Sequence, residues 1–145
     1  MTLQLDWLRG CATALVTPFT TGGAVDEPRL RDFIEYQITG GVRVLVPCGT
    51  TGESVTMSDE ENRLVIRTTV ELARGRAKVI AGTGSNSTAV TIQRSQAARE
   101  LGVDGALGRP DEHAPGEAVG RRRRRAGRRH ALPPAVCAAG PARFE

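Results

Sequence analysis

The chain has 145 residues, a mass of 15.4 kDa, 39% apolar residues and a formal charge of +4. That suffices for one domain with a core, and it is too short for an architecture that needs roughly 200 residues or more to close. The charge is uneven: residues 1–107 hold 11 Lys+Arg against 12 Asp+Glu, and residues 108–145 hold 9 Arg against 4 acids, so the positive balance belongs to the carboxyl-terminal stretch and not to the rest.

In chain order, the first strand is expected at Cys11–Val16, a short apolar and β-branched run. A helix follows, with Asp26 as N-cap, Pro28 in its first turn, an apolar stripe of Leu30, Phe33, Ile34 and Ile38, and Gly40-Gly41 as its stop. The second strand is read at Val42–Val46. The second helix opens at Ser58, whose hydroxyl and the Glu61 carboxylate three residues on have capping-box spacing, and it ends near Arg74-Gly75. The third strand, Ala77–Ala81, leads to a helix starting at Asn86 or just after and running to Leu101. Gly102 then takes the left-handed position that closes a helix. Its apolar face is weaker than those of the other two. Val103–Leu107 is the fourth strand.

Strands about thirty residues apart, nearly continuous in apolar character and alternating with helices, predict parallel pairing in an α/β fold. An open doubly wound sheet and a closed (βα)8 barrel share this local pattern, and four strands alone cannot close a barrel. In either case, functional groups gather on loops at the carboxyl ends of the strands. Those loops are Thr17-Pro18-Phe19, then Cys48-Gly49-Thr50-Thr51-Gly52-Glu53, then Gly82-Thr83-Gly84-Ser85-Asn86. Hydroxyls, exposed backbone N–H groups and glycines are what a carboxylate or phosphate site uses, and they are also ordinary residues of tight turns.

Several chemistries are excluded. The second loop lacks the Gly-Lys-Ser/Thr of a P-loop and the spacing of GxGxxG. Both histidines, His113 and His130, lie beyond residue 107, so no Ser-His or Cys-His pair and no His-ligated zinc can form in the first 107 residues. Cys11, Cys48 and Cys137 have no CxxC spacing, so neither a disulfide framework nor a metal site is expected. Cys48 reads as a half-buried thiol at a strand end. Lys78, the single lysine, falls at the start of the third strand, opposite the loops, and is badly placed for a Schiff base there. MTLQLDWLRG has no signal-peptide pattern and no run approaches 18 apolar residues, so a soluble, cytoplasmic chain is expected.

Three runs taken together carry more than any single loop: Ala14-Leu15-Val16-Thr17-Pro18-Phe19, Gly49-Thr50-Thr51-Gly52-Glu53-Ser54, and Val79-Ile80-Ala81-Gly82-Thr83-Gly84-Ser85-Asn86-Ser87-Thr88. In this order and spacing they resemble the amino-terminal part of the dihydrodipicolinate synthase family, which includes N-acetylneuraminate lyase and the 2-keto-3-deoxy sugar acid aldolases. The resemblance implies a (βα)8 barrel, commonly tetrameric, whose chemistry runs through a lysine Schiff base on pyruvate and needs no cofactor. Thr50-Thr51 with Ser54 is more similar to the synthase branch, whose aldehyde is aspartate semialdehyde in lysine and diaminopimelate synthesis. The resemblance gives Thr51, with the backbone of Gly49 and Gly52, the pyruvate carboxylate, and gives Thr50 a place in a hydroxyl proton relay between two tyrosines. Some members have a lysine feedback site near Asn86 with a Glu four residues on; Val90 stands there, so feedback control is not expected.

After Gly105-Ala106-Leu107 the resemblance ends at Gly108-Arg109-Pro110-Asp111. The relay tyrosines and the Schiff-base lysine have no counterpart, Tyr36 being the single tyrosine. The expected organisation is therefore a partial barrel of about four βα units over residues 1–107, inactive in the aldol step by itself, and a basic low-complexity stretch over 108–145. Of those last 38 residues, 27 are Ala, Arg, Gly or Pro, a composition that suggests disorder or a shifted reading frame near codon 107. Arg121–Arg125 with Arg128 and Arg129 lacks interleaved aromatics and reads first as a solvated run; the alternative is a non-enzymatic α/β fragment whose basic tail binds a polyanion, nucleic acid or an acidic membrane.

Overall fold

The computed structural model describes residues 10–108. The chain divides into two units, Met1–His113 and Ala114–Glu145, and every described residue belongs to the first. The readings of the arginine run, Cys137 and both histidines lie outside the described residues.

Four strands, β1 (Ala12–Ala14), β2 (Val44–Val46), β3 (Lys78–Gly82) and β4 (Gly105–Leu107), form one parallel sheet in the order β1-β2-β3-β4. Each is joined to the next by a helix: α1 (Glu27–Thr39), α2 (Asp59–Ala73) and α3 (Thr88–Glu100). This is the α/β alternation that the apolar pattern predicts. The first, second and fourth strands are shorter than their apolar runs. Their ladders continue beyond the strands through single bonds, the Leu15 N–H to the Val46 carbonyl at 3.0 Å and the Thr83 N–H to the Leu107 carbonyl at 2.9 Å.

Local chemistry sets the helix ends where the sequence puts them. Asp26 caps α1 by accepting from the Arg29 N–H, and Gly41 takes a φ of +87° after it. At α2 the capping box is reciprocal: the Glu61 N–H donates to Ser58 Oγ at 3.2 Å, and the Ser58 N–H donates to Glu61 Oε2 at 2.8 Å. Ser87, one residue past Asn86, caps α3, and Gly102 follows its end with a φ of +86°.

The core lies between the sheet and the helices. Leu15, Leu45, Val79 and Ala81 point to that side and pack with Leu30 and Ile34 of α1, Val65, Ile66 and Ala73 of α2 and Ala98 of α3. Phe33 and Ile38, also in the expected α1 stripe, are partly buried against this cluster. Ala98 is the single buried residue of α3, which agrees with its weak apolar face. Arg76 holds Glu35 through two bonds, at 2.9 and 2.6 Å, and Arg31 bridges Glu27 and Glu71, so α1 and α2 are also tied along their exposed sides. The Arg76 guanidinium keeps the Glu35 carboxyl below its usual range.

Candidate functional site

The three loops at the carboxyl ends of β1, β2 and β3 lie against one another, and two glycines make this possible. A Cβ on Gly82 would run into the Cys48 carbonyl, 2.6 Å from its carbon and 2.8 Å from the Gly49 nitrogen. At Gly52 it would lie 2.9 Å from the Leu15 carbonyl oxygen. Real Cβ atoms do not approach backbone so closely, so each glycine is required by a neighbouring loop and not by its own turn. Buried Thr17 completes the join by donating its Oγ1 hydrogen to the Gly52 carbonyl at 2.8 Å.

The second loop is held in an uncommon shape. Cys48 and Glu53, neither a glycine, adopt φ of +56° and +55°, a region that costs an L-residue about 1–2 kcal/mol. Between them the Gly52 N–H donates to the Gly49 carbonyl and the Glu53 N–H to the Thr50 carbonyl, each at 3.1 Å. Asn62, buried on α2, braces the far side: its Nδ2 hydrogens are shared among the carbonyls of Ser54, Met57 and Ser58 at 3.3, 3.4 and 3.0 Å. Sequence reasoning overlooked Asn62. Its signal was a lone amide three and four residues before Val65 and Ile66, on the apolar face of a helix where a polar group needs a partner.

Thr50 and Thr51 stand at the tip of this loop, exposed. Among the described residues, neither their hydroxyls nor their backbone N–H groups have a hydrogen-bond partner. Gly49 beside them has open space on its Cβ side. Four donors on two adjacent residues, on a frame fixed by Thr17 and Asn62, suit a small anion such as a carboxylate. The third loop is also organised by hydroxyls. Ser95 Oγ bonds Thr83 Oγ1 at 2.9 Å, and the Ser85 N–H donates to Thr91 Oγ1 at 3.1 Å.

Cys48 departs from its expected half-burial. Its side chain is 2% exposed and its Sγ hydrogen faces the Asn62 carbonyl at 3.6 Å. Burial pushes the thiol up to about 12, against a smaller opposing pull from Arg94, so it is no nucleophile at neutral pH. Lys78 is at the opposite end of the sheet, as expected, with Nζ 2.7 Å from Asp104 Oδ1. Tyr36 is exposed on α1. A shallow cleft lies elsewhere, between α2 and α3, lined in part by Asp59, Asn62, Ile66 and Arg94. It does not include the threonines. Among the described residues, no group of three or more His, Cys, Asp or Glu is placed to hold a metal, and no helix is long and apolar enough to cross a membrane.

Comparison with known proteins agrees with the loop pattern. The 4-hydroxy-tetrahydrodipicolinate synthase of Magnetococcus marinus is 56% identical over 99 residues, covering 68% of this chain and 34% of that enzyme. The enzyme of the same name from Thermomicrobium roseum is 54% identical over 100 residues, 69% and 33% of the two chains. Among solved structures, dihydrodipicolinate synthase from Aquifex aeolicus superposes with a TM-score of 0.65 at 45% identity, over 68% of this chain and 33% of that one. The chloride-inhibited dihydrodipicolinate synthase from Acinetobacter baumannii complexed with pyruvate gives 0.67 at 42%, over 68% and 34%. The chain thus spans about a third of the length of these relatives, and its four-stranded sheet corresponds to part of their TIM barrel. The profile of the dihydrodipicolinate synthetase family matches residues 7–108, and the chain belongs to that family.

Proposed function

We propose that residues 10–108 are the pyruvate-carboxylate-holding part of a 4-hydroxy-tetrahydrodipicolinate synthase, which condenses pyruvate with aspartate semialdehyde. The observation that carries this reading is the set of hydroxyls and N–H groups at Thr50 and Thr51, unengaged among the described residues, on a loop braced from both sides. Thr51 Oγ1 and the Thr50 and Thr51 N–H groups donate to the carboxylate, with Gly49 leaving the main chain accessible, whereas Gly52 is buried and gives its N–H to the Gly49 carbonyl as part of the frame. Thr50 carries a proton as a relay hydroxyl, able both to donate and to accept. Further support comes from relatives above 50% identity that bear the synthase name, and from a structural neighbour described as complexed with pyruvate.

Taken alone, these 145 residues do not carry out the condensation. A Schiff base needs an amine facing the bound keto carbon, and the single amine side chain, Lys78, lies at the amino end of β3 in an ion pair with Asp104. Tyr36, the single tyrosine, projects from α1 and cannot serve the relay. The family resemblance extends the proposal to a cytoplasmic setting, and to a tetramer for chains that contain the whole barrel.

The test is a pyruvate titration of the full chain followed by amide NMR, with borohydride trapping in parallel. Shifts of the Thr50 and Thr51 amides that disappear in Thr51→Val, with no covalent adduct, are expected. Unmoved amides at saturating pyruvate would refute the carboxylate site. A trapped adduct would refute the claim of inactivity and point to Lys78.

A further inference from the structure

A peptide unit joins the carbonyl of one residue to the N–H of the next through a resonant bond. When that carbonyl accepts a hydrogen bond, the N–H of the same unit becomes a better donor. The N–H groups of Thr50 and Thr51, unpartnered among the described residues, both lie in such units. The Thr51 N–H shares its unit with the Thr50 carbonyl, which accepts from the Glu53 N–H at 3.1 Å. The Glu53 N–H in turn shares its unit with the Gly52 carbonyl, which accepts from Thr17 Oγ1 at 2.8 Å. Hydrogen bonds thus run in one direction from the Thr17 hydroxyl, through two peptide units, to the Thr51 N–H. The Thr50 N–H is backed by a separate bond, from the Gly52 N–H to the Gly49 carbonyl at 3.1 Å, which does not pass through the Gly52 carbonyl.

We propose that Thr17 is a positioning residue for the anion at Thr50 and Thr51, strengthening the Thr51 N–H as a donor through this series of bonds. The proposal rests on the reading of those threonines as a carboxylate site. Thr17 belongs to the loop after β1, so its hydroxyl reaches the turn from a neighbouring strand and holds it from outside. It is 6% exposed, so water does not compete for the Gly52 carbonyl, and the bond acts where the local dielectric is low. Close approach is built in: a Cβ at Gly52 would lie 2.9 Å from the Leu15 carbonyl oxygen and 3.4 Å from Thr17 Oγ1, which is room for a glycine alone. Glu53, whose N–H is the middle link, has a φ of +55°. Such a conformation persists where the surroundings fix it, and the Thr17 bond fixes the carbonyl of that peptide unit.

Amide NMR of the full chain, without ligand and then through a pyruvate titration, compares the wild type with Thr17→Val, Thr17→Ser and Thr17→Ala. Val matches Thr in shape but cannot donate. Before any pyruvate is added, Thr17→Val should move the Thr51 amide proton upfield and the Thr50 amide proton less. Pyruvate should then bind about three- to tenfold more weakly. Thr17→Ser, which keeps the hydroxyl, should return both the shift and the affinity. Thr17→Ala should behave as Val does, and it carries the measurement if a Val methyl against the Gly52 carbonyl prevents folding. A side chain that merely satisfies a buried carbonyl would lower the melting temperature in Val and Ala yet leave the Thr51 amide and the pyruvate affinity unchanged. That result overturns the proposal, as does an equal displacement of the Thr50 and Thr51 amides or a loss that Ser does not restore. A wild type that ignores pyruvate refutes the carboxylate site instead, and is told apart because the ligand-free Thr51 shift is read without pyruvate.

Discussion

Gly82→Ala and Gly49→Ala differ only in position within one pair of adjoining loops, and their expected effects are opposite. At Gly82 the added methyl meets the Cys48–Gly49 peptide group head on, with the Cys48 carbonyl carbon at 2.6 Å and the Gly49 nitrogen at 2.8 Å. No flexible side-chain end is available to move aside. Relief requires shifting β3 from β2, which are joined there by the Gly82 N–H to Pro47 carbonyl bond at 2.8 Å, or displacing Cys48 from a left-handed conformation that is already strained. Overpacking of this kind costs about 1–3 kcal/mol, and a backbone obstacle puts Gly82→Ala at the upper end. For a domain of this size each kcal/mol moves the melting temperature by about 4–8 °C, so a fall of at least 10 °C by about that scale is expected in a circular-dichroism melt. At Gly49 nothing lies within 4 Å of the added methyl, and Gly49→Ala should stay within about 0.5 kcal/mol of wild type or gain slightly by restricting the unfolded chain. Equal melting temperatures for the two variants would show that the contact between loops does not constrain residue 82.

The α2 capping box predicts that Ser58→Ala loses about 1 kcal/mol and that Ser58→Asp restores most of it, since the carboxylate can also accept from the Glu61 N–H; urea midpoints at constant slope check this. Cys48 holds its proton in the folded state up to about 12 but releases it near 8.5 when unfolded. Between those values the unfolded chain binds fewer protons than the folded one, so stability is full below about 8.5 and falls as pH rises, by at most about 1.4 kcal/mol per unit. Cys48→Ala should flatten that decline between pH 8 and 10, and a decline of the same slope in the variant would assign it to other groups. The break in family resemblance at Gly108 predicts that one of the two other reading frames of the gene, beyond codon 107, encodes the segments bearing the relay tyrosine and the Schiff-base lysine. Failure of both frames to do so removes the frame shift as its explanation.

What the sequence determined by itself was set by interactions spanning four residues or fewer, or by simple period. Asp26 with Arg29, Ser58 with Glu61, and the left-handed Gly102 are short-range devices, and they fixed the ends of α1, α2 and α3 to within one or two residues. The α1 stripe and the thirty-residue spacing of the strands likewise contained the parallel α/β order. The three loop motifs identified the candidate site because their residue types are visible without coordinates. What those residues do to one another was decided at long range. Gly52 is required by Leu15, and Gly82 by Cys48, pairs that only the register of β1, β2 and β3 brings together. Cys48 looked half-buried at a strand end, and it is enclosed because α2 lies over it with Asn62 facing its sulfur. Whether an apolar strand has one covered face or two is also a tertiary matter, since Ala14, Val46 and Ile80 read the same in sequence whether helices, another strand or a second chain lies opposite.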